Sequence, residues 1–163
     1  MTLDVHTFRS PIGPLVLGAR GDQLVVLHLP GSDDPPPAGT ERATPILART
    51  VRQLEQYFAG TRRDFELQLA PEGTEFQRAV WKALLDVPYG ATCSYGTIAQ
   101  AVGRPSASRA VGAANGANPI AIIIPCHRVI GSNQSLTGYG GGLPAKRFLL
   151  DLERGGAAQP CLL

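Results

Sequence analysis

Polar and apolar positions alternate from residue 4 to residue 29. Val5 and Thr7, Leu15 and Leu17, Leu24 and Val26, then Leu27 and Leu29 fall on strand-like phases. Pro11-Ile12-Gly13-Pro14 and Gly21-Asp22 supply turns between them, so a small antiparallel sheet is predicted. Residues 30–43, with Pro30, Gly31, Pro35, Pro36, Pro37 and Gly39, carry no period and predict a mobile polar loop without a functional role. The period then becomes helical. Leu47, Val51, Leu54 and Phe58 share one face of a helix expected over Thr44–Ala59, with Thr44 as N-cap, Pro45 as first helical residue and Gly60 just past the end. Phe65, Leu67 and Leu69 alternate again and predict one more strand, and Ala70-Pro71-Glu72-Gly73 reads as a linker.

The second half is helical in character. Thr74-x-x-Gln77 is a capping box, followed by Phe76, Val80 and Leu84 on one face with Ala83 and Trp81 beside them. Pro88-Tyr89-Gly90 ends that helix. Ser94 can cap a short helix that runs through Ile98, Ala99 and Val102 to Gly103, and Ser106 can cap a second from Ala107 to about Asn115. The pair is a helix-turn-helix pattern, although such pairs occur in many helical folds. Small residues occupy nearly every face of the second helix, and Arg109 is its one long side chain. Such a helix suits close packing on a neighbour or entry into a nucleic-acid groove. Gly138-Tyr139-Gly140-Gly141-Gly142 is a loop poor in side chains. Pro144 opens a last helix with Phe148, Leu149 and Leu152 as its buried stripe, ended by Gly155-Gly156. The fold class is therefore α+β: a small N-terminal antiparallel sheet with a helix over 1–72, and a mainly helical C-terminal domain containing a helix-turn-helix over 73–163.

One window stands apart. Ile120-Ala121-Ile122-Ile123-Ile124-Pro125-Cys126-His127-Arg128-Val129-Ile130 reads as a buried strand stopped by a proline, with a thiol, an imidazole and a guanidinium on consecutive residues. A thiol becomes a nucleophile as its thiolate, and a neighbouring base or positive charge promotes that form. A buried structural cysteine beside a satisfied histidine accounts for this window equally well.

Charge changes the picture more than composition does. Residues 1–75 hold seven basic and ten acidic side chains, whereas residues 76–163 hold eight basic and three acidic. No Asp or Glu occurs from Val87 to Leu150, a stretch that carries Arg104, Arg109, Arg128, Lys146 and Arg147. An acid-free basic surface favours a polyanion such as nucleic acid over a plain charge-poor segment. Cys93, Cys126 and Cys161 are odd in number and widely spaced, a poor disulfide framework that points to a reducing compartment. With no CxxC pair and histidines only at 6, 28 and 127, neither metal nor cofactor is expected. No apolar run approaches the roughly 20 residues of a membrane span, and Asp4, His6 and Arg9 are unlike a signal peptide. A cytoplasmic protein without membrane contact is expected.

These motifs, taken in order, resemble the O6-alkylguanine-DNA alkyltransferases, also called methylated-DNA–protein-cysteine methyltransferases. The resemblance runs through Ser10-Pro11-Ile12-Gly13-Pro14-Leu15, Phe76-x-x-x-Val80-Trp81, Val87-Pro88-Tyr89-Gly90, Ser94-Tyr95-Gly96, Ala107-x-Arg109-Ala110-Val111-Gly112, Asn118-Pro119, Pro125-Cys126-His127-Arg128-Val129 and Gly138-Tyr139-x-Gly141-Gly142, across essentially the whole chain. It implies direct-reversal DNA repair, in which Cys126 takes the alkyl group of O6-alkylguanine, and less readily of O4-alkylthymine, irreversibly and once. It implies His127 as the base acting through a water, and Glu153 as the residue that orients it. The DNA-binding residues it implies are Tyr95, Ser94, Arg109, Ala107, Ala110, Gly112 and Asn118. Among these, Arg109 fills the space left by a flipped nucleotide, and Asn118 supports the hinge between the recognition helix and the active-site strand. Val129, Tyr139 and Gly140 would line the base pocket. The implied partner is double-stranded DNA containing alkylated guanine, bound through the minor groove by a monomer, with cooperative binding along DNA an open possibility.

Two departures stand out. Some members carry an N-terminal zinc site, but no cysteine precedes Cys93 here. Position 140 is Gly where some members have Ser. Alkyltransferase-like relatives flag lesions without an acceptor cysteine, and Cys126 argues against that alternative. A Cys–His hydrolase is a poorer fit, since its histidine is normally distant in sequence from the nucleophile. Cys93 and Cys161 are expected to be structural or neutral, the latter in a frayed tail.

Overall fold

The computed structural model describes residues 2–131 and 138–155; the expected helix stop at Gly156 and the tail cysteine Cys161 lie outside them. The chain divides into two compact units, one of residues 1–72 with Pro119–Ala121 and one of Gly73–Asn118 with Ile122 onward.

The first unit is built on β1 (Leu3–Ser10), β2 (Gly13–Arg20) and β3 (Gln23–His28), an antiparallel meander in which Phe8 faces Leu15 and Leu17 faces Leu27. The β1–β2 turn is fixed locally. Ser10 Oγ donates to Gly13 O at 2.6 Å and accepts from Ile12 N, while Gly13 adopts φ +107°, a region that disfavours any side chain. The segment expected to be a structureless loop contains β4 (Gly39–Glu41), which pairs parallel to β1 and sets the order β3-β2-β1-β4. Pairing here runs through backbone and needs no apolar pattern. A Cβ at Gly39 would come within 2.3 Å of Leu3 O, so glycine permits the close approach.

Helix α1 (Pro45–Phe58) packs on this sheet. Its buried stripe is Ile46, Leu47, Thr50, Gln53, Leu54 and Tyr57, rotated from the expected Leu47, Val51, Leu54 and Phe58. Two polar residues conceal it from an apolar count. Thr50 Oγ1 donates to Ile46 O, and Gln53 bonds both backbone groups of Glu66. The latter contact also explains why residues 65–69 do not form the expected strand. The Gln53 amide takes the place of a neighbouring strand, and only Leu69 bridges to Leu24 of β3. Ile120 bridges to Leu27, so the outer edge of β3 is partly covered by single residues. Thr44 holds the N-cap position of α1 without a side-chain capping bond.

In the second unit, α2 (Glu75–Leu84) starts at the full capping box of Thr74 and Gln77, worth about 1 kcal/mol for the threonine alone. Val80, Trp81, Ala83 and Leu84 are buried, and Phe76 is only half-buried, with the Arg104 guanidinium 5.5 Å from its ring centre. Strand β5 (Cys93–Ser94) leads into α3 (Tyr95–Ala101), capped by Ser94, which accepts from Thr97 N. Helix α4 (Ser108–Gly116) follows. Ser106 does not cap it; the chain turns through the Ala107 N to Arg104 O bond, and Ala107 takes the N-cap position. Helices α2, α3 and α4 pack against one another, and Trp81 Nε1 donates to Ala114 O at 2.8 Å. The apolar run before Cys126 is buried throughout but is not a strand. It turns, with Ile122 at φ +71°, into a short 3-10 helix over Cys126–Arg128 and then β6 (Val129–Ile130), which pairs parallel to β5. Helix α5 (Leu143–Arg154) buries Lys146, Leu149, Leu150 and Glu153. Of the expected stripe, Leu149 is buried, Leu152 half-buried and Phe148 39% exposed. Among the described residues no helix is long and apolar enough to cross a membrane.

Candidate active site

Pro125 closes the turn that follows Ile122, and the 3-10 helix places Cys126, His127 and Arg128 in the interior, where none is more than 7% exposed. Two asparagines near the end of α4 hold the turn. Asn118 Nδ2 donates to Ile124 O at 2.8 Å, and Asn115 Nδ2 donates to Cys126 O at 3.3 Å. The backbone that carries the thiol is therefore tied directly to the end of α4.

Each member of the trio finds a different environment. Burial pushes the Cys126 thiol above its ordinary range; an Asn118 hydrogen bond, the Lys146 charge and a backbone hydrogen bond oppose this without reversing it. A resting neutral thiol follows, and it needs a base before it can attack. His127 has no exposed surface, and its Nε2 lies 2.6 Å from Glu153 Oε2. Burial alone would raise the Glu153 carboxyl, but His127 and Arg128 outweigh it and hold that group well below the usual carboxylate range. An ionised Glu153 can only accept, so Nε2 carries a ring proton, and in the neutral tautomer of the ring Nδ1 is then the lone-pair nitrogen. Nδ1 has no hydrogen-bond partner among the described residues. Arg128 clasps both oxygens of Glu153, through Nε at 2.7 Å and Nη2 at 3.1 Å, and donates Nη1 to Val87 O.

Sequence reasoning counted Lys146 and Arg128 toward a basic surface and gave Asn115 no role, but all three are buried. Lys146 is fully buried on α5, seven residues and two turns before Glu153, and so on the same face. Its Nζ donates to Val129 O at 2.7 Å and Gly138 O at 3.4 Å. Burial lowers its proton affinity, and the adjacent Cys126 works against that. The i, i+7 spacing of Lys146 and Glu153 was the available signal.

The remaining expected residues fall into two groups. Ser94, Tyr95 and Gly112 meet where α3 approaches α4; a Cβ at Gly112 would touch the Tyr95 ring at 3.9 Å. Arg109 and Ala110 are exposed on α4, Ala107 is half-buried at its start, and Asn118 lies beyond its end. Val129 is buried in β6. Tyr139 is half-buried, with a hydroxyl that has no hydrogen-bond partner among the described residues. Its ionisation is pushed well above the usual range by burial and then by Cys126 and Glu153, so it stands near both. Gly140 is exposed, with open space where a side chain would stand. No three His, Cys, Asp or Glu side chains converge on a metal-like centre among the described residues.

Both halves of the chain match family models. Residues 5–71 match the model described as 6-O-methylguanine DNA methyltransferase, ribonuclease-like domain, and residues 75–155 match that described as its DNA binding domain. The chain is 52% identical over 149 residues to the methylated-DNA–protein-cysteine methyltransferase of Methanosarcina acetivorans, covering 90% of this chain and 95% of that one. Against the protein of the same name from Mycobacterium tuberculosis, identity is 51% over 150 residues, covering 91% of each. The crystal structure of Mycobacterium tuberculosis OGT in complex with DNA superposes with a TM-score of 0.88 at 49% identity, covering 95% of both chains. With both halves matched and half of all aligned residues shared, this chain belongs to the methylated-DNA–protein-cysteine methyltransferase family.

Proposed function

We propose that this protein repairs O6-alkylguanine in duplex DNA by moving the alkyl group to Cys126, once per molecule. The observation that carries the reading is the buried His127–Glu153 contact of 2.6 Å on the residue next to a buried, neutral thiol. His127 Nδ1 takes the thiol proton through a bridging water, and Glu153 fixes the tautomer that makes this possible. The thiolate attacks the alkyl carbon. The S–C bond forms as the C–O bond breaks, the electron pair returns to the purine, and the purine leaves as neutral guanine once a proton is delivered. The thioether that remains is stable, so no step regenerates the thiol and the protein is consumed. O4-alkylthymine, with a similar alkoxy carbon, is a slower substrate.

The target oxygen lies inside the duplex, so the nucleotide must rotate out at a cost on the order of a few kcal/mol of unstacking. Small residues on the exposed face of α4 suit a narrow minor groove, and Arg109 is long enough to fill the vacated stack. Tyr95 and Ser94 at the start of α3, with Ala107, Ala110 and Gly112, contact the strand, and Asn118 supports the turn behind them. Backbone at Cys126 and Val129 reads the purine amine, and the segment at Tyr139 and Gly140 closes over the base. The protein works as a monomer in the cytoplasm.

Incubation with a duplex carrying radiolabelled O6-methylguanine tests the reading. Transfer should plateau at one methyl per protein at every enzyme concentration. Continued turnover, or none at all, contradicts it.

A further inference from the structure

Glu153 stands between two nitrogenous partners where a carboxylate that merely oriented His127 would need one. Its Oε2 accepts from His127 Nε2 at 2.6 Å and from Arg128 Nη2 at 3.1 Å, and its Oε1 accepts from Arg128 Nε at 2.7 Å. Arg128 is committed on every side, with Nη1 on Val87 O at 2.7 Å and its guanidinium carbon 5.7 Å from the Tyr89 ring centre. All three side chains of the cluster are buried. A buried carboxylate with no cation beside it would draw a proton onto the neighbouring imidazole, and a carboxylate already matched by a guanidinium does so far less.

We propose that Arg128 is a positioning residue: by matching the charge of Glu153 it keeps His127 neutral, with the Nδ1 lone pair available to take the thiol proton. The proposal rests on the reading of Cys126 as nucleophile and His127 as its base. In the step concerned, the proton leaves Cys126 Sγ and arrives on His127 Nδ1, and the new imidazolium is then held by a carboxylate that two donors have already oriented. Among the described residues the charged and titratable groups around His127 are few. The 3-10 turn contributes Cys126 and Arg128, and α5 contributes Glu153 and, beside the thiol, Lys146. The segment before α5 contributes Tyr139, which feels both Cys126 and Glu153. The buried face of α2 contributes no charge, only Val80, Trp81, Ala83 and Leu84.

Single-turnover transfer from a methylated duplex, followed across pH, tests this. In Arg128→Gln the unmatched carboxylate favours a proton on the imidazole, so the acid limb of the rate profile moves to higher pH. A shift of one pH unit lowers the rate on that limb about tenfold. In Glu153→Gln the unmatched guanidinium moves the limb to lower pH, and Arg128→Lys falls between wild type and Arg128→Gln. Thermal melts at each pH report which variants are folded, and if Arg128→Gln is not, the shift in Arg128→Lys decides. Variants that lower the rate by one factor at every pH, with the limb unmoved, overturn the proposal and leave Arg128 a packing residue. Absence of transfer by the wild-type protein overturns the underlying reading of the site as well, and so is told apart from the failure of the Arg128 role alone.

Discussion

The Lys146 ammonium stands 2.7 Å from the carbonyl oxygen of Val129, three residues beyond the nucleophile, with no exposed surface of its own. Val129 pairs with Cys93 across β5 and β6, so this contact fixes the strand that leaves the reactive turn. The same charge lies close enough to Cys126 to favour the thiolate. In Lys146→Met two stability effects oppose each other. The Val129 carbonyl loses its donor, a cost of about 1–3 kcal/mol, and the penalty of burying an ammonium disappears. The melting temperature should change little while methyl transfer slows by about tenfold, equivalent to about 1.4 kcal/mol of barrier. Parallel transfer rates and melts check this; a large loss of stability with transfer intact contradicts it.

Acid should destabilise the protein through Glu153. Its folded carboxyl is held well below the ordinary value of 4.5, so below that value the unfolded chain binds a proton that the folded chain does not. The stabilising contribution is complete above about 4.5 and fades as pH falls further. Glu153→Gln strands the buried Arg128 and should cost about 3–5 kcal/mol at neutral pH. Its stability should then depend less on acid than that of the wild type. Urea melts between pH 3 and pH 7 would show the two curves converging.

Gly73 precedes the capping box of α2, and a Cβ there would lie 2.4 Å from the Trp81 ring. That ring is 2% exposed and anchored through Nε1 to Ala114 O, so it has little room to yield. Gly73→Ala should destabilise by about 1–3 kcal/mol, as overpacking does, and should shift tryptophan fluorescence. Unchanged emission with unchanged stability would show that the ring relaxes freely.

Arg109 is exposed on α4. Arg109→Ala should leave the stability within about 0.5 kcal/mol of wild type. It should slow repair in duplex DNA more than transfer from free alkylguanine, because only the duplex leaves a stack to be filled. Equal losses on both substrates would remove the intercalating role.

Local chemistry made much of this fold legible in the sequence. The turn at Gly21, the stop at Gly60, the Thr74–Gln77 box and the Ser94 cap depend on neighbouring residues alone, and each stands where its sequence signal lies. What stayed hidden depended on distant partners. Strand β4 forms by backbone pairing to β1, and Gln53 satisfies Glu66 in place of a strand. Ile122 adopts a left-handed conformation that a β-branched residue avoids outside a tertiary context. In the site, Cys126 and His127 were legible as neighbours. Lys146 and Asn115 were not, because a lysine or an asparagine in a helix normally faces solvent, and burial is conferred here by the turn they hold.

The central claim is that the alkyl group ends on Cys126 and nowhere else. Mass spectrometry of peptides from the protein, after incubation with an O6-methylguanine duplex, tests it most directly. The account predicts a single methyl on the peptide that contains Cys126, with the Cys93 peptide unmodified and no methylation in Cys126→Ala. Methyl on the Cys93 peptide, or undiminished methylation of Cys126→Ala, would contradict it.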